Sequence, residues 1–178
     1  MLVIRPAILP ADAPAIEALD TAFTTHEIYE VDATFPEIHL RLKALSAPFR
    51  KRFPLDDLQS LERPYTDAWV ALRGVSIVGF AASSFEAWNR RLVLWHCYVD
   101  PTARRQGVGR GLIEAVKAHG IKRRARHIWL ETSSVNVPGV AAYSALGFTL
   151  SGVDLTLYDG TDAEGEIALF YSQRLPSA

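Results

Sequence analysis

Sulfur is scarce in this chain and neither sign of charge prevails. One cysteine, Cys97, stands among 178 residues, so no internal disulfide can form and a disulfide-stapled secreted scaffold is excluded. No apolar run approaches the ~18 residues of a membrane-spanning helix. Met1 to Pro6 lacks the basic stretch and apolar core of a secretory leader, so a cytoplasmic location without membrane attachment is expected. Basic and acidic residues number 19 and 20, a formal net charge of -1, which offers no global field to nucleic acid or an anionic lipid surface. His26, His39, His96, His119 and His127 are scattered without ligand spacing, and no metal is expected.

Apolar residues make up 49% of the chain against 22% charged, enough for one well-buried core and a single domain over residues 1–178. Leu2 to Arg5 reads as a strand; Pro10 and Asp12 then open a helix that Ile16, Leu19 and Phe23 carry to about Phe23. Between Glu27 and Leu61, Ile38, Leu42 and Leu45 suggest helix while Pro36, Pro48 and Pro54 break it. One or two short helices in a loop-rich excursion are expected there. Ala68 to Leu72, Ile77 to Phe85 and Leu92 to Val99, parted by turns at Arg73-Gly74 and Asn89-Arg90, predict a three-stranded antiparallel meander. Val108, Leu112, Ala115 and Val116 form a helical stripe ending near Gly120. A strand at Ile128 to Thr132, a helix at Val137 to Leu146, and strands at Phe148 to Tyr158 and Glu166 to Arg174 complete an α/β domain with a mixed sheet.

Between the third meander strand and the following helix lies Arg104-Arg105-Gln106-Gly107-Val108-Gly109. A strand that passes through a glycine turn into a helix presents unpaired N–H groups and a positive dipole end, which suits a pyrophosphate. The spacing fits neither a Walker loop nor a dinucleotide fingerprint. Arg104, Arg105 and Arg110 can pair with phosphate oxygens. An ordinary glycine-bearing helix start is the alternative on this loop alone.

That loop, the strand before it, and the block from Asn136 through Tyr143 to Gly147-Phe148 resemble the GNAT superfamily of acyl-CoA-dependent N-acetyltransferases. The order and the spacing of about 30 residues make the pair of motifs far more specific than either alone. Trp88-Asn89-Arg90, Leu130-Glu131-Thr132, Gly152-Val153-Asp154 with Leu157-Tyr158, and Ala168 to Tyr171 are further similar to streptothricin acetyltransferases, with a weaker echo at Phe23 to Phe35. The chain departs from that family's acidic central strand at Trp95-His96.

The resemblance implies an α+β domain whose mostly antiparallel mixed sheet carries a splayed pair of strands flanked by helices. It implies acetyl-CoA as co-substrate, bound by Tyr98, Val99, Arg104, Arg105, Gln106, Gly107, Val108, Gly109, Arg110 and Asn136, with Asn136 alternatively a helix cap. Tyr143 stands where the family protonates the departing sulfur; the alternative is a packing aromatic. An ammonium group, pKa about 10.4, must lose a proton before attack. Glu131 is the first candidate base and His96 the second, against a structural carboxylate paired with an arginine, a sheet histidine, or a water relay. Direct attack in a ternary complex is expected over a Cys97 nucleophile.

The implied acceptor is a primary amine of a small cationic molecule, such as an aminoglycoside-like antibiotic. Candidate anions for it are Glu27, Glu30, Asp32, Asp154 and Asp159, with Trp88 and Tyr29 as aromatic contacts. A protein or peptide amine is the second reading, and a non-catalytic acyl-CoA-binding regulatory domain the third. Whether the last two strands pair within one chain or across a homodimer is open.

Overall fold

A computed structural model describes residues 1–34 and 36–176. In chain order its elements are β1 (Leu2–Pro6), α1 (Ala13–Glu17), β2 (Phe23–Asp32), β3 (His39–Lys51), β4 (Asp67–Arg73), β5 (Ser76–Glu86) and β6 (Arg91–Val99). A 3-10 turn (Pro101–Ala103), α2 (Val108–Lys122), β7 (His127–Ser133), α3 (Val137–Ala145), β8 (Thr149–Asp154) and β9 (Ala168–Arg174) follow. The chain divides into two compact units: Met1–Ala22, Arg52–Trp129 and the residues from Arg174 form one, Phe23–Lys51 and Leu130–Gln173 the other. The fold is α+β, with a mixed, mostly antiparallel sheet that contains a parallel pair.

In the first unit the strands lie in the order β1-β4-β5-β6, and the beginning of β7 follows β6. β4, β5 and β6 are the expected antiparallel meander, with Phe80 opposite Tyr98 and Ala82 opposite His96. α2 connects β6 to its neighbour β7, the kind of helical crossover that parallel strands need. Its apolar stripe, Val108, Leu112, Ile113 and Val116, is removed from solvent. The seat for that stripe is Gly79 on β5, where a Cβ would stand 3.0 Å from Leu112 Cδ1 and 3.0 Å from Val108 Cγ1. A second cluster, Ile16, Leu19, Leu58, Tyr65, Val70, Phe80 and Ala82, anchors α1 and the turn before β4.

In the second unit β7 continues beside β9, and β9 pairs with β8. β8 and β9 pair antiparallel, with Leu150 opposite Tyr171 and Asp154 opposite Ala168. β2 and β3 form a separate two-stranded sheet.

Three expectations are corrected. The first helix ends at Glu17, and Phe23 instead begins β2, because the Asp20 carboxylate accepts the Ala22 N–H and turns the chain. Of the region expected to hold short helices, Glu27 to Leu61, the part up to Lys51 belongs to the long β2–β3 hairpin, and the rest forms turns and irregular chain. Pro48 is tolerated because Thr25 faces Phe49 while Glu27 faces Ala44, so it falls in a bulge that needs no ladder N–H. The strand expected to reach Tyr158 stops at Asp154, whose Oδ1 accepts the Thr156 N–H and hydroxyl. Phe35, the end of the weaker echo, lies outside the described residues.

Gly79→Val forces Leu112 and Val108 off their seat and is expected to lower unfolding free energy by about 1–3 kcal/mol in urea denaturation.

Candidate active site

The turn into α2 is fixed from its own residues. Asp100 Oδ1 accepts the Thr102 N–H at 3.0 Å and its hydroxyl at 2.5 Å, bonds that hold the Asp100 carboxyl below its ordinary range. Gln106 Nε2 donates to the Thr102 carbonyl at 2.9 Å. Arg105 and Gly107 both take left-handed conformations, φ 60° and 83°, and a Cβ on Gly107 would meet nothing within 4 Å. Among the described residues, the N–H groups of Gln106, Gly107, Val108, Gly109 and Arg110 make no hydrogen bond within the chain. They lie at the positive end of a 15-residue helix. The side chains of Arg105 and Arg110 are exposed.

Arg104 is engaged with main chain. Its Nε donates to the Val99 carbonyl at 2.9 Å and an Nη to the Ala22 carbonyl at 2.6 Å. It ties the end of β6 to the chain beyond α1, and two of its donors are spent on main chain. Val99 packs at Gly109, its Cγ2 lying 3.6 Å from where a Cβ there would stand. Tyr98 stacks on Phe53 with ring centroids 5.7 Å apart.

His96 lies on β6 two residues before Tyr98, with which period-2 alternation gives it a shared face. Its Nε2 is 2.7 Å from Asp57 Oδ2, and its Nδ1 is 3.4 Å from the Tyr98 hydroxyl. Rings of Tyr65, Phe80 and Tyr98 surround it with centroids 5.4, 5.8 and 5.6 Å away, and only 12% of its side chain is exposed. Asp57 Oδ1 and the Tyr65 hydroxyl are buried without a hydrogen-bond partner among the described residues. Burial, with the Asp57 charge, pushes the Tyr65 hydroxyl up to about 12. Cys97 alternates with His96 and Tyr98 along β6, and burial pushes its thiol up to about 12, which disfavours the thiolate near neutrality.

The second unit holds the other candidates. Glu131, on β7, accepts a hydrogen bond from the Tyr158 hydroxyl rather than pairing with an arginine. Burial raises the Glu131 carboxyl above its ordinary value, opposed by the Tyr158 bond and by Lys51; burial and Glu131 together raise Tyr158. Lys51 Nζ is 2.5 Å from Glu166 Oε2, which also accepts the Ser133 hydroxyl, and lies 5.9 Å from the Tyr158 ring centroid. Asn136 caps α3: its Oδ1 accepts the Gly139 N–H at 3.0 Å and its Nδ2 donates to Thr132 Oγ1 at 2.9 Å. Tyr143, half-buried on α3, packs edge-on against Phe148.

Most candidate acceptor contacts are taken up locally. Glu30 pairs with Lys43, Asp32 with Thr34 and Asp154 with Thr156, while Glu27 and Asp159 are exposed. Trp88 is exposed on the β5–β6 turn, and Tyr29 is half-buried on β2. Asp57, Lys51, Tyr158 and Glu166 were missed as site residues by the sequence reading. Asp57 stands 39 residues from His96 and belongs to no motif; Tyr158 lies inside a segment of the family likeness, the one signal available for it. Among the described residues no three His, Cys, Asp or Glu side chains gather as a metal site, and no helix is long and apolar enough to cross a membrane.

Residues 25–148 match the acetyltransferase (GNAT) family. The chain is 40% identical to a streptothricin acetyltransferase of Streptomyces lavendulae over 94% of its length and 92% of that protein's. It is similar to the crystal structure of a nourseothricin acetyltransferase, TM-score 0.89 at 40% identity, covering 98% of this chain and 99% of that one. A Bacillus anthracis protein solved in complex with acetyl coenzyme A shares the fold, TM-score 0.83 at 23% identity, with 98% and 100% covered.

Because burial raises Glu131, the folded chain holds that proton more tightly than the unfolded chain does. Stability is therefore expected to fall as pH rises from the ordinary carboxylate value, about 4.3, through the folded titration of Glu131. Tyr158→Phe removes the opposing hydrogen bond, so carboxyl NMR should place that titration at higher pH and denaturation should show the larger fall.

Proposed function

This chain belongs to the acetyltransferase (GNAT) family, and we propose that it transfers the acetyl group of acetyl-CoA to an amine of a streptothricin-class antibiotic by direct attack. The observation that carries the acceptor is the near-complete overlap, at 40% identity, with the Streptomyces lavendulae enzyme. The matched family segment, residues 25–148, runs from one compact unit into the other, which supports one functional domain over the whole chain.

Acetyl-CoA, when bound, supplies the thioester carbonyl that the amine attacks. The turn into α2 fits its pyrophosphate. Five N–H groups lie free at a helix N-terminus, Gly107 leaves open space, and Arg105 and Arg110 are exposed to pair with phosphate oxygens. Tyr143 provides the proton for the departing sulfur. Of the two bases named from sequence, His96 is the better placed, since Glu131 already accepts the Tyr158 hydroxyl and its burial favours the protonated form.

A CoA-release assay over streptothricin, aminoglycosides, polyamines, amino acids and peptide amines tests the acceptor; release with streptothricin and little with the rest is expected. Tyr143→Phe is expected to lower kcat by about 10 to 1000-fold with acetyl-CoA affinity intact, as loss of a proton donor does. Gly107→Val puts a β-branched residue at positive φ, a cost of about 1–2 kcal/mol, and should weaken acetyl-CoA binding about tenfold in calorimetry.

A further inference from the structure

Asp57 brings a second group to His96 that no motif announces. It sits in a turn whose next residue, Leu58, is 2% exposed and packed among Ile16, Leu19 and Tyr65, so the carboxylate is held by the core rather than by a free loop. A carboxylate only accepts hydrogen bonds, so the 2.7 Å contact puts the hydrogen of neutral His96 on Nε2. Nδ1 then carries the lone pair and faces the Tyr98 hydroxyl at 3.4 Å. Phe53 stacks on the Tyr98 ring and holds it in that place.

We propose that Tyr98, His96 and Asp57 form a proton relay that deprotonates the acceptor amine, with Asp57 as its positioning residue. The proposal rests on the acetyl-transfer reading above. The Tyr98 oxygen takes a proton from the substrate ammonium as its own proton passes to His96 Nδ1. One ammonium N–H bond breaks, the Tyr98 O–H bond is renewed and an imidazole N–H bond forms, leaving the amine lone pair free to attack. The resulting imidazolium is held by Asp57 through Nε2–H, the role that a buried aspartate plays toward histidine in other relays. Around the ring the titratable or charged groups among the described residues are Asp57 on the preceding turn, Tyr98 on β6, and Tyr65 before β4, with Arg63 over the Tyr65 ring at 5.7 Å; Ala82 and Phe80 of β5 carry no titratable group. Tyr65 keeps its proton, and Asp57 Oδ1 has no donor of its own, so neither competes for Nδ1.

Two measurements test this. Two-bond nitrogen–proton NMR of the imidazole side chains should find His96 as the Nε2–H tautomer in the wild type. The pH dependence of kcat/KM with streptothricin is then compared for wild type, Asp57→Asn, His96→Gln and Tyr98→Phe. Asp57→Asn should lower kcat by about 10 to 100-fold while acetyl-CoA affinity stays within about twofold. It should also move the acidic limb to lower pH, since the imidazolium loses its anion. His96→Gln should abolish that limb, and Tyr98→Phe should lower kcat without moving it. An Nδ1–H tautomer, or an Asp57→Asn enzyme with wild-type kcat and an unmoved limb, overturns the relay. Wild-type protein that binds acetyl-CoA yet releases no CoA with streptothricin overturns the acceptor instead, and the tautomer then decides the relay.

Discussion

The close seating of α2 against the sheet is the constraint on which the first unit depends. Glycine at position 79 lets Val108 and Leu112 press onto β5, and Gly111 lets the helix meet Ile4 of β1, with an added Cβ there 3.4 Å from the Ile4 side chain. Gly120 does the same near the other end, where a Cβ would come within 2.8 Å of Leu92. Interiors are packed like crystals, so a helix held at three such points cannot slide to relieve strain elsewhere. Its N-terminus is therefore delivered where β6 ends, and the turn between them must reverse in few residues. Left-handed Arg105 and Gly107 perform that reversal, and Arg104 secures it by bonding to two carbonyls. The free N–H groups are the geometric residue of this packing.

Polar groups are placed by a different rule. A buried donor or acceptor costs free energy unless it finds a partner, so partners reveal what each group is for. Asn136 caps α3 with its Oδ1 and bonds Thr132 with its Nδ2, which gives it a structural duty whatever else it contacts. Glu131 is steadied by a hydroxyl, and Glu166 by an ammonium and a hydroxyl. His96 has both ring nitrogens faced by polar groups of opposite character, an acceptor at Nε2 and a hydroxyl at Nδ1. The two buried atoms beside it without partners among the described residues, Asp57 Oδ1 and the Tyr65 hydroxyl, set this cluster apart from an ordinary sheet histidine.

Local pattern made much of the fold readable. The meander, α2, β7 and α3 follow from periodicity and turn residues, which act over a few neighbours. The β2–β3 hairpin was not readable, because Pro36, Pro48 and the nearby Pro54 argue against strands until the bulge opposite His26 removes the need for a ladder bond at Pro48. Leu42 and Leu45 fit a helical period as well as a strand interrupted by that bulge. Gly107, Tyr143, Asn136, His96 and Glu131 were named as candidates from sequence, whereas the bond from Arg104 to the Ala22 carbonyl was not legible, since nothing local shows that this carbonyl lies within reach.

By itself the sequence determined the family and the donor and marked the turn into α2 as the candidate pyrophosphate loop, because these reside in contiguous residues whose spacing is dictated by backbone geometry. The tertiary structure decided which side chains meet: Asp57 with His96, Tyr158 with Glu131, Lys51 with Glu166. Those pairs join residues 39, 27 and 115 positions apart, and only chain packing brings such distant groups within hydrogen-bond range.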